Sequence, residues 1–251
     1  MLLRSITKHV REQNWFAVAL DFFIVVVGIL IAFQITNWNE RQSDRVLERT
    51  YLERLSTDLA NTNERNAGQL ERNSEIMSDL DVTLKSLKNC ELIKEDKTAF
   101  VSGLYLLGRY NLPEFVAGTF EELNSTGNFQ LIRNLELRRK ITRLYEDFER
   151  TNRIDRQVND RILPKVNYVR RYVSFNLSDY EDQPSEIDPE TIEMNFEAIC
   201  SDTIFITSVS AVREVVFAFD GLTRSAMRGS EELKTEIDKE LDRSVSKSKA
   251  N

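Results

Sequence analysis

The sequence predicts an all-α protein in which one N-terminal transmembrane helix continues into an up-down bundle of long helices. Residues 16–33 form an almost uninterrupted apolar run. The whole chain has 30% charged residues but only 8 Gly and 4 Pro in 251 residues, a composition typical of helices. Apolar residues in the later segments recur at three- and four-residue spacing, which indicates amphipathic helices.

The apolar run FAVALDFFIVVVGILIAF is long enough to cross a bilayer and contains one charge, Asp21. Trp15 and Trp38 flank it at a spacing that a continuous helix would extend over about 34 Å, which suits two membrane interfaces. A cleaved signal peptide fits poorly because bulky residues end the run, and a buried core helix is the other alternative. We expect a transmembrane helix over 15–38.

The flanking charges predict the orientation. Lys and Arg counts on the two sides nearly tie, and the free amino terminus favours an N-terminus in the cytoplasm. We therefore expect a short basic cytoplasmic tail over 1–14, a periplasmic helical-bundle domain over 39–245, and a disordered tail over 246–251.

A carboxylate inside the apolar run is costly in lipid. Asp21 either snorkels towards the headgroups or contacts another span, from a second copy or a partner. Gly28 is the other contact point that the run offers between spans.

Two motifs resemble a large uncharacterised family of bacterial single-span membrane proteins. The first is GILIAFQITNWNE, whose signature residues are Gln34, Asn37, Trp38, Asn39 and Glu40. The second is the turn EELNSTG, with signature residues Glu122, Leu123 and Gly127. The chain departs from the family pattern at Phe33, Thr36 and Asn124. The resemblance implies an anchor in the bacterial inner membrane and a helical outer domain, and it supplies no activity.

The first outer helix is predicted to continue from the span, with a coiled-coil-like seam whose middle is polar. The seam consists of Leu52, Leu55, Leu59, Thr62, Asn66, Gln69, Asn73, Ile76, Leu80 and Leu87. Its polar middle is either a solvated face of a long helix or a soft segment that bends or rotates.

Three further helical regions complete the bundle. The second covers 97–126, is broken at Pro113, and ends at Gly127, where a positive φ suits glycine. The third is capped by Asn134, kinked at Pro164 and apolar on one face to Val173. The fourth begins near Ser201, Asp202 and Thr203, which are expected to cap its N-terminus. The four regions alternate in direction, and the first and fourth are expected to be the longest.

The composition excludes several function classes. The only histidine, His9, precedes the span, so the outer domain lacks His-based catalysis and His-based metal sites. There is no phosphate-binding loop or hydrolase motif, and the net charge of −7 argues against nucleic acid. We expect no enzyme, no metal and no cofactor.

Cys90 and Cys200 are the only cysteines, and the up-down plan brings both to the end of the bundle far from the membrane. A periplasmic domain would join them in a disulfide, whereas two buried free thiols are the alternative.

Aromatic side chains in the middle helices either belong to an ordinary core or line a ligand pocket. They are Tyr105, Tyr110, Phe115, Phe120, Tyr145, Phe148, Tyr168 and Tyr172. The sequence favours an anchored interaction protein that contacts the lipid bilayer and binds a partner protein or a second copy of itself. The alternatives are a ligand-sensing module that signals through a partner's span and, more weakly, a tethered hydrolase using paired carboxylates.

Overall fold

The computed structural model describes residues 15–175, 190 and 192–249. It confirms the all-α class. The helices are α1 (Trp15–Asn89), α2 (Lys97–Tyr105), α3 (Gly118–Ser125), α4 (Leu135–Val169), α5 (Phe196–Ser201) and α6 (Thr203–Lys249). Short 3₁₀ turns occupy Lys94–Asp96 and Asn128–Leu131. As predicted, α1 and α6 are the longest.

The chain forms two compact units, Met1–Thr50 and Tyr51–Asn251, and α1 contributes to both. In the first unit, α1 carries an apolar stretch with a mean hydropathy of 1.8, none of it buried. Within the described residues, α1 is the one helix long and apolar enough to be a candidate membrane span. The predicted tail 1–14 lies outside the described residues.

Two apolar clusters form the core of the second unit. The Phe100 core contains Ile76, Leu80, Leu84, Leu87, Phe100, Val101, Leu104, Leu107, Ile162, Val166, Val169, Val173, Ile199, Phe205, Val209, Val212 and Val216. The Phe120 core contains Tyr51, Leu52, Leu55, Leu59, Phe120, Leu123, Ile132, Leu137, Ile141, Leu233 and Ile237. Helices α1, α4 and α6 contribute to both clusters.

The order in which each helix contributes residues to the two cores confirms the up-down plan. Helices α1 and α4 run from the Phe120 core to the Phe100 core, whereas α6 runs back. Polar pairs between α1 and α6 show that the two helices are antiparallel, because the residue number rises on α1 by the same amount as it falls on α6. The pairs are Ser56–Asp238 (2.7 Å), Asn63–Glu231 (2.8 Å) and Asp81–Arg213 (2.9 Å).

Local signals in the sequence set several helix ends. Asn134 caps α4 by accepting from the Leu137 N–H at 3.2 Å, and Asp202 caps α6 by accepting from the Ile204 N–H at 2.8 Å. Gly127 follows α3 with φ +73°, a left-handed conformation that glycine adopts without strain. All three were predicted.

The second helical region differs from its prediction. Helix α2 ends at Tyr105, residues 109–117 are not helical, and α3 begins only at Gly118. Gly108 has φ +89°, which turns the chain out of the helix, and Pro113 then opposes helix formation further along. Helix α6 continues to Lys249, beyond the predicted domain end at 245.

The structure also contains a short ribbon that the sequence did not predict. Strands β1 (Val173–Phe175) and β2 (Ile192–Met194) pair antiparallel, with Val173 opposite Met194. Three residues are too few for alternating polarity to be recognised. Val173, predicted on the third helix, therefore lies in β1.

Candidate ligand-binding cavity

The polar middle of α1 binds the main chain of segment 109–117. Asn73 donates to the Asn111 carbonyl at 2.9 Å and accepts from the Asn111 N–H at 2.8 Å. Asn66 makes the same pair of bonds with Glu114, at 2.9 and 2.8 Å. Thr62 Oγ1 accepts from the Val116 N–H at 3.0 Å. We call these side chains and their main-chain partners the asparagine ladder.

In the asparagine ladder, the distance between the two asparagines along α1 equals the distance between their partners along the extended segment. Asn66 and Asn73 are two turns apart on α1, a rise of about 10.5 Å. The three residues from Asn111 to Glu114 can span at most about 10–11 Å when fully extended. The segment therefore runs along α1 in a nearly extended form and in the opposite direction.

The solvated-face interpretation of the polar seam is wrong. Thr62, Asn66 and Asn73 are fully buried, and Gln69 is only 6% exposed. Their polar atoms replace the hydrogen bonds that a non-helical segment would otherwise make to water.

A cavity of about 560 Å³ opens beside segment 109–117. It draws residues from α1, from the segment, from α3 and from α4, so no short stretch of sequence contains it. Its lining residues are Gln69, Tyr110, Asn111, Leu112, Pro113, Glu114, Phe115, Ala117, Glu121, Tyr145, Phe148 and Glu149.

Stacked aromatic rings form the apolar wall of the cavity. Phe115 stacks on Phe148 with ring centroids 4.5 Å apart, and Tyr145 stacks on Phe120 at 4.1 Å. Tyr110 lies parallel to Phe219 at 4.8 Å. These contacts fix the ring planes.

The predicted aromatic residues therefore divide between the two interpretations, since some line a pocket and others belong to the core or pair elsewhere. Tyr110, Phe115, Tyr145 and Phe148 line the cavity, whereas Phe120 belongs to a core cluster. The remaining three pair elsewhere, Tyr105 with Phe175, Tyr168 with Tyr172, and Tyr172 with Phe205.

Three carboxylates, all at exposed positions, complete the lining. Glu114 accepts a hydrogen bond from Gln69 Nε2 and lies 3.5 Å from the Arg65 guanidinium. Glu121 lies near the Tyr145 hydroxyl, and burial together with this carboxylate raises the pKa of that phenol. Among the described residues, Glu149 has no hydrogen-bond or ion-pair partner.

Gln69 lines the cavity and carries an unsatisfied acceptor. Its Nε2 donates to the Glu114 carboxylate, which fixes the amide orientation, because the reverse orientation would place two acceptors together. Its Oε1 is buried and has no hydrogen-bond partner within the described part of the chain. An unpaired buried acceptor is costly, so a ligand donor that reached Oε1 would stabilise the folded protein.

The tyrosines report the electrostatic character of the cavity. Burial raises the pKa of Tyr145, and the nearby carboxylates of Glu121 and Glu149 raise it further. Burial also raises the pKa of Tyr110, whose hydroxyl donates to Asp155 at 2.8 Å. Both phenols stay neutral, and additional negative charge is disfavoured here.

The first-unit residues that the sequence singled out lie along α1. Trp38 is 59% exposed, and Gly28 has no atom within 4 Å of an added Cβ. The signature residues Gln34, Asn39 and Glu40 are exposed, and Asn37 is half-buried. Trp15 and Asp21 lie on α1, but their side chains fall outside the described part of the structure.

The second motif is structural. Glu122 accepts from the Tyr51 hydroxyl at 3.1 Å and from Arg54 at 2.5 Å, and these bonds, that of Arg54 above all, hold the pKa of its carboxyl below the ordinary value. Leu123 is fully buried in the Phe120 core. Gly127 makes the turn after α3.

The two cysteines are joined in the structure. Cys90 and Cys200 form a disulfide with Cα atoms 5.3 Å apart, inside the limit of about 7 Å for such a bond. Cys90 follows the last residue of α1 with φ +49°, and the bonds from Glu91 N–H to the Ser86 carbonyl and from Cys90 N–H to the Leu87 carbonyl close a Schellman motif.

In the ranges that the structure describes, no group of three or more His, Cys, Asp or Glu side chains is arranged to hold a metal ion. Residues 21–177 match a family of unknown function, DUF6090. The chain belongs to the DUF6090 family. No curated protein and no solved structure matches the chain.

The DUF6090 match contains every residue that lines the cavity, together with Cys90. It ends before α6, so Cys200 and Asp202 lie beyond it. Because the family is of unknown function, membership assigns no activity to this DUF6090 protein. The cavity is therefore its candidate functional site.

The cavity residues Gln69, Glu114, Glu121 and Glu149 were not predicted from the sequence, and neither was the asparagine ladder. One signal was present, because Asn66, Gln69 and Asn73 stand at seam positions where apolar residues belong. Buried amides at such positions have hydrogen-bond partners, and a non-helical stretch around Pro113 was the available one.

Proposed function

We propose that this DUF6090 protein is a membrane-anchored recognition protein that binds a small ligand in the cavity beside segment 109–117. The observation that carries the proposal is the cavity of about 560 Å³, which falls within the range typical of small-molecule sites. Stacked aromatic rings and a few polar groups are the usual lining of such sites.

The anchor is the apolar part of α1. Phe22, Ile29 and Phe33 are all more than 60% exposed, and a helix that is apolar on every side is suited to lipid. A disulfide persists in an oxidising compartment, so the Cys90–Cys200 bond supports a periplasmic second unit on the bacterial inner membrane.

Ligand binding in this cavity involves no catalytic step. A partner protein, favoured by the sequence alone, enters as the component that passes a binding signal across the membrane through its own span. Asp21 and Gly28 are then the contact points on this chain.

We expect the protein to remain in the membrane pellet after alkaline carbonate extraction. The apolar stretch of α1 is long enough to cross a bilayer, and none of it is buried against the rest of the described structure. A phosphatase fused after Asn251 should be active if the second unit is periplasmic. Release into the supernatant would contradict the anchor, and an inactive phosphatase together with a fluorescent cytoplasmic reporter would reverse the orientation.

A cavity ligand should raise the thermal unfolding midpoint of the detergent-solubilised full chain, because it binds only the folded state. We would screen small organic cations, neutral molecules and anions. Ala117→Trp fills the cavity and should abolish the shift, whereas Ala67→Trp, at an exposed position of α1, should retain it. Shifts that survive Ala117→Trp, or no shift in any class, would contradict the proposal.

A further inference from the structure

We infer that the cavity binds a small organic cation, an ammonium that carries N–H donors on an apolar or aromatic body. This inference rests on the proposed function, because it names the ligand class of the same cavity. Three independent features of the lining support it: its charge, an unsatisfied acceptor and its aromatic wall.

The charge of the lining is negative. Glu114, Glu121 and Glu149 contribute carboxylates, whereas no Lys, Arg or His lines the cavity in the described part of the chain. Arg65 approaches only Glu114, at 3.5 Å, and both side chains are largely exposed, so this pair neutralises little of the charge. The carboxylates therefore repel an anion and attract a cation, whereas a neutral ligand gains nothing from their charge.

The unsatisfied acceptor, Gln69 Oε1, favours a cation that carries N–H donors over one that has none. Gln69 is more than nine-tenths buried, and its Oε1 has no partner among the described residues. A primary ammonium supplies three donors, enough for two carboxylate oxygens and, after a side-chain rotation that exposes it to the cavity, for Gln69 Oε1. A quaternary ammonium has no N–H and would leave Oε1 unpaired.

The aromatic wall provides the apolar part of the site. Phe115 and Phe148 stack at 4.5 Å, and the Glu121 and Glu149 carboxylates are close enough to Tyr145, in the same wall, to raise its pKa further than burial alone does. Aromatic faces attract cations and pack against apolar ligand bodies. The three arginine–aromatic contacts of the described structure involve Tyr51, Tyr105 and Phe217, so none of them occupies this wall.

Four matched probes test the inference on the full chain in detergent micelles. They are 2-phenylethylamine, its quaternary trimethyl analogue, the neutral 2-phenylethanol and the anionic 3-phenylpropionate. We expect calorimetry and thermal shift to detect 2-phenylethylamine most strongly, the quaternary analogue about tenfold more weakly, and the other two least. A blocked tripeptide with a central lysine distinguishes a free amine from a partner's side chain.

Variants locate the binding. Glu149→Gln should weaken 2-phenylethylamine binding by about three- to fivefold, because it removes an ion pair between the ligand and an exposed carboxylate. Glu146→Gln, an exposed neighbour on α4 that does not line the cavity, should change it less than about twofold. Glu149 is exposed, so its replacement leaves the fold intact.

Several outcomes would overturn the inference. Equal binding of the alcohol, tighter binding of the anion, or equal loss in Glu149→Gln and Glu146→Gln would reject a cation site while leaving a ligand-binding cavity in place. Tighter binding of the lysine peptide than of the amine would assign the cavity to a protein partner. No binding of any probe would reject both the cation and the proposed function.

Discussion

Replacing Asn73 with alanine should lower the free energy of unfolding of the second unit by about 2–5 kcal/mol. The side chain is fully buried and makes two hydrogen bonds to the Asn111 main chain, at 2.9 and 2.8 Å. Alanine would remove both bonds and leave the Asn111 N–H and C=O without partners. Urea denaturation of the full chain in detergent micelles measures the change, provided that the unfolding free energy of both proteins depends equally steeply on urea concentration.

Two variants sharpen this experiment. Asn61→Ala, at an exposed position of the same helix, should change stability by no more than about 0.5 kcal/mol. Asn73→Asp keeps the acceptor for the Asn111 N–H but sets a carboxylate oxygen against the Asn111 carbonyl, so it should be strongly destabilising at neutral pH. A stability of Asn73→Asp equal to that of the unmodified protein would show that the asparagine ladder does not hold segment 109–117.

The sequence predicted the features that depend on neighbouring residues. Gly127, Asn134 and Asp202 act within one helix turn of their own positions, so composition and spacing suffice to recognise them. The direction of the long helices also followed, because connections between apolar helical stretches leave few arrangements.

Features that join distant segments were not predicted. Asn73 and Asn111 are remote in sequence, and a polar residue at a seam position indicates exposure unless its partner is known. The cavity combines Gln69 from α1, Glu114 from segment 109–117 and Glu149 from α4. Its shape depends on packing that hydrophobic periodicity does not encode.

Removing the Cys90–Cys200 bond should lower the free energy of unfolding by up to about 4–5 kcal/mol. The bond closes a loop of 110 residues, and the entropy that such a link removes from the unfolded chain grows with loop length. Denaturation of Cys90→Ala/Cys200→Ala should show this loss, and reductant should impose a similar loss on the unmodified protein. Reductant should leave the double variant unchanged.

The backbone at Cys90 provides a matched control for that experiment. Cys90 holds φ +49°, a left-handed conformation that costs a residue with a Cβ about 1–2 kcal/mol and costs glycine little. Cys90→Gly/Cys200→Ala should therefore be more stable than Cys90→Ala/Cys200→Ala by about 1 kcal/mol, although both lack the covalent link. Equal stability of the unmodified protein with and without reductant, together with alkylation of both thiols in native membranes, would show that the bond does not form in the cell. A periplasmic second unit would then lose its main support.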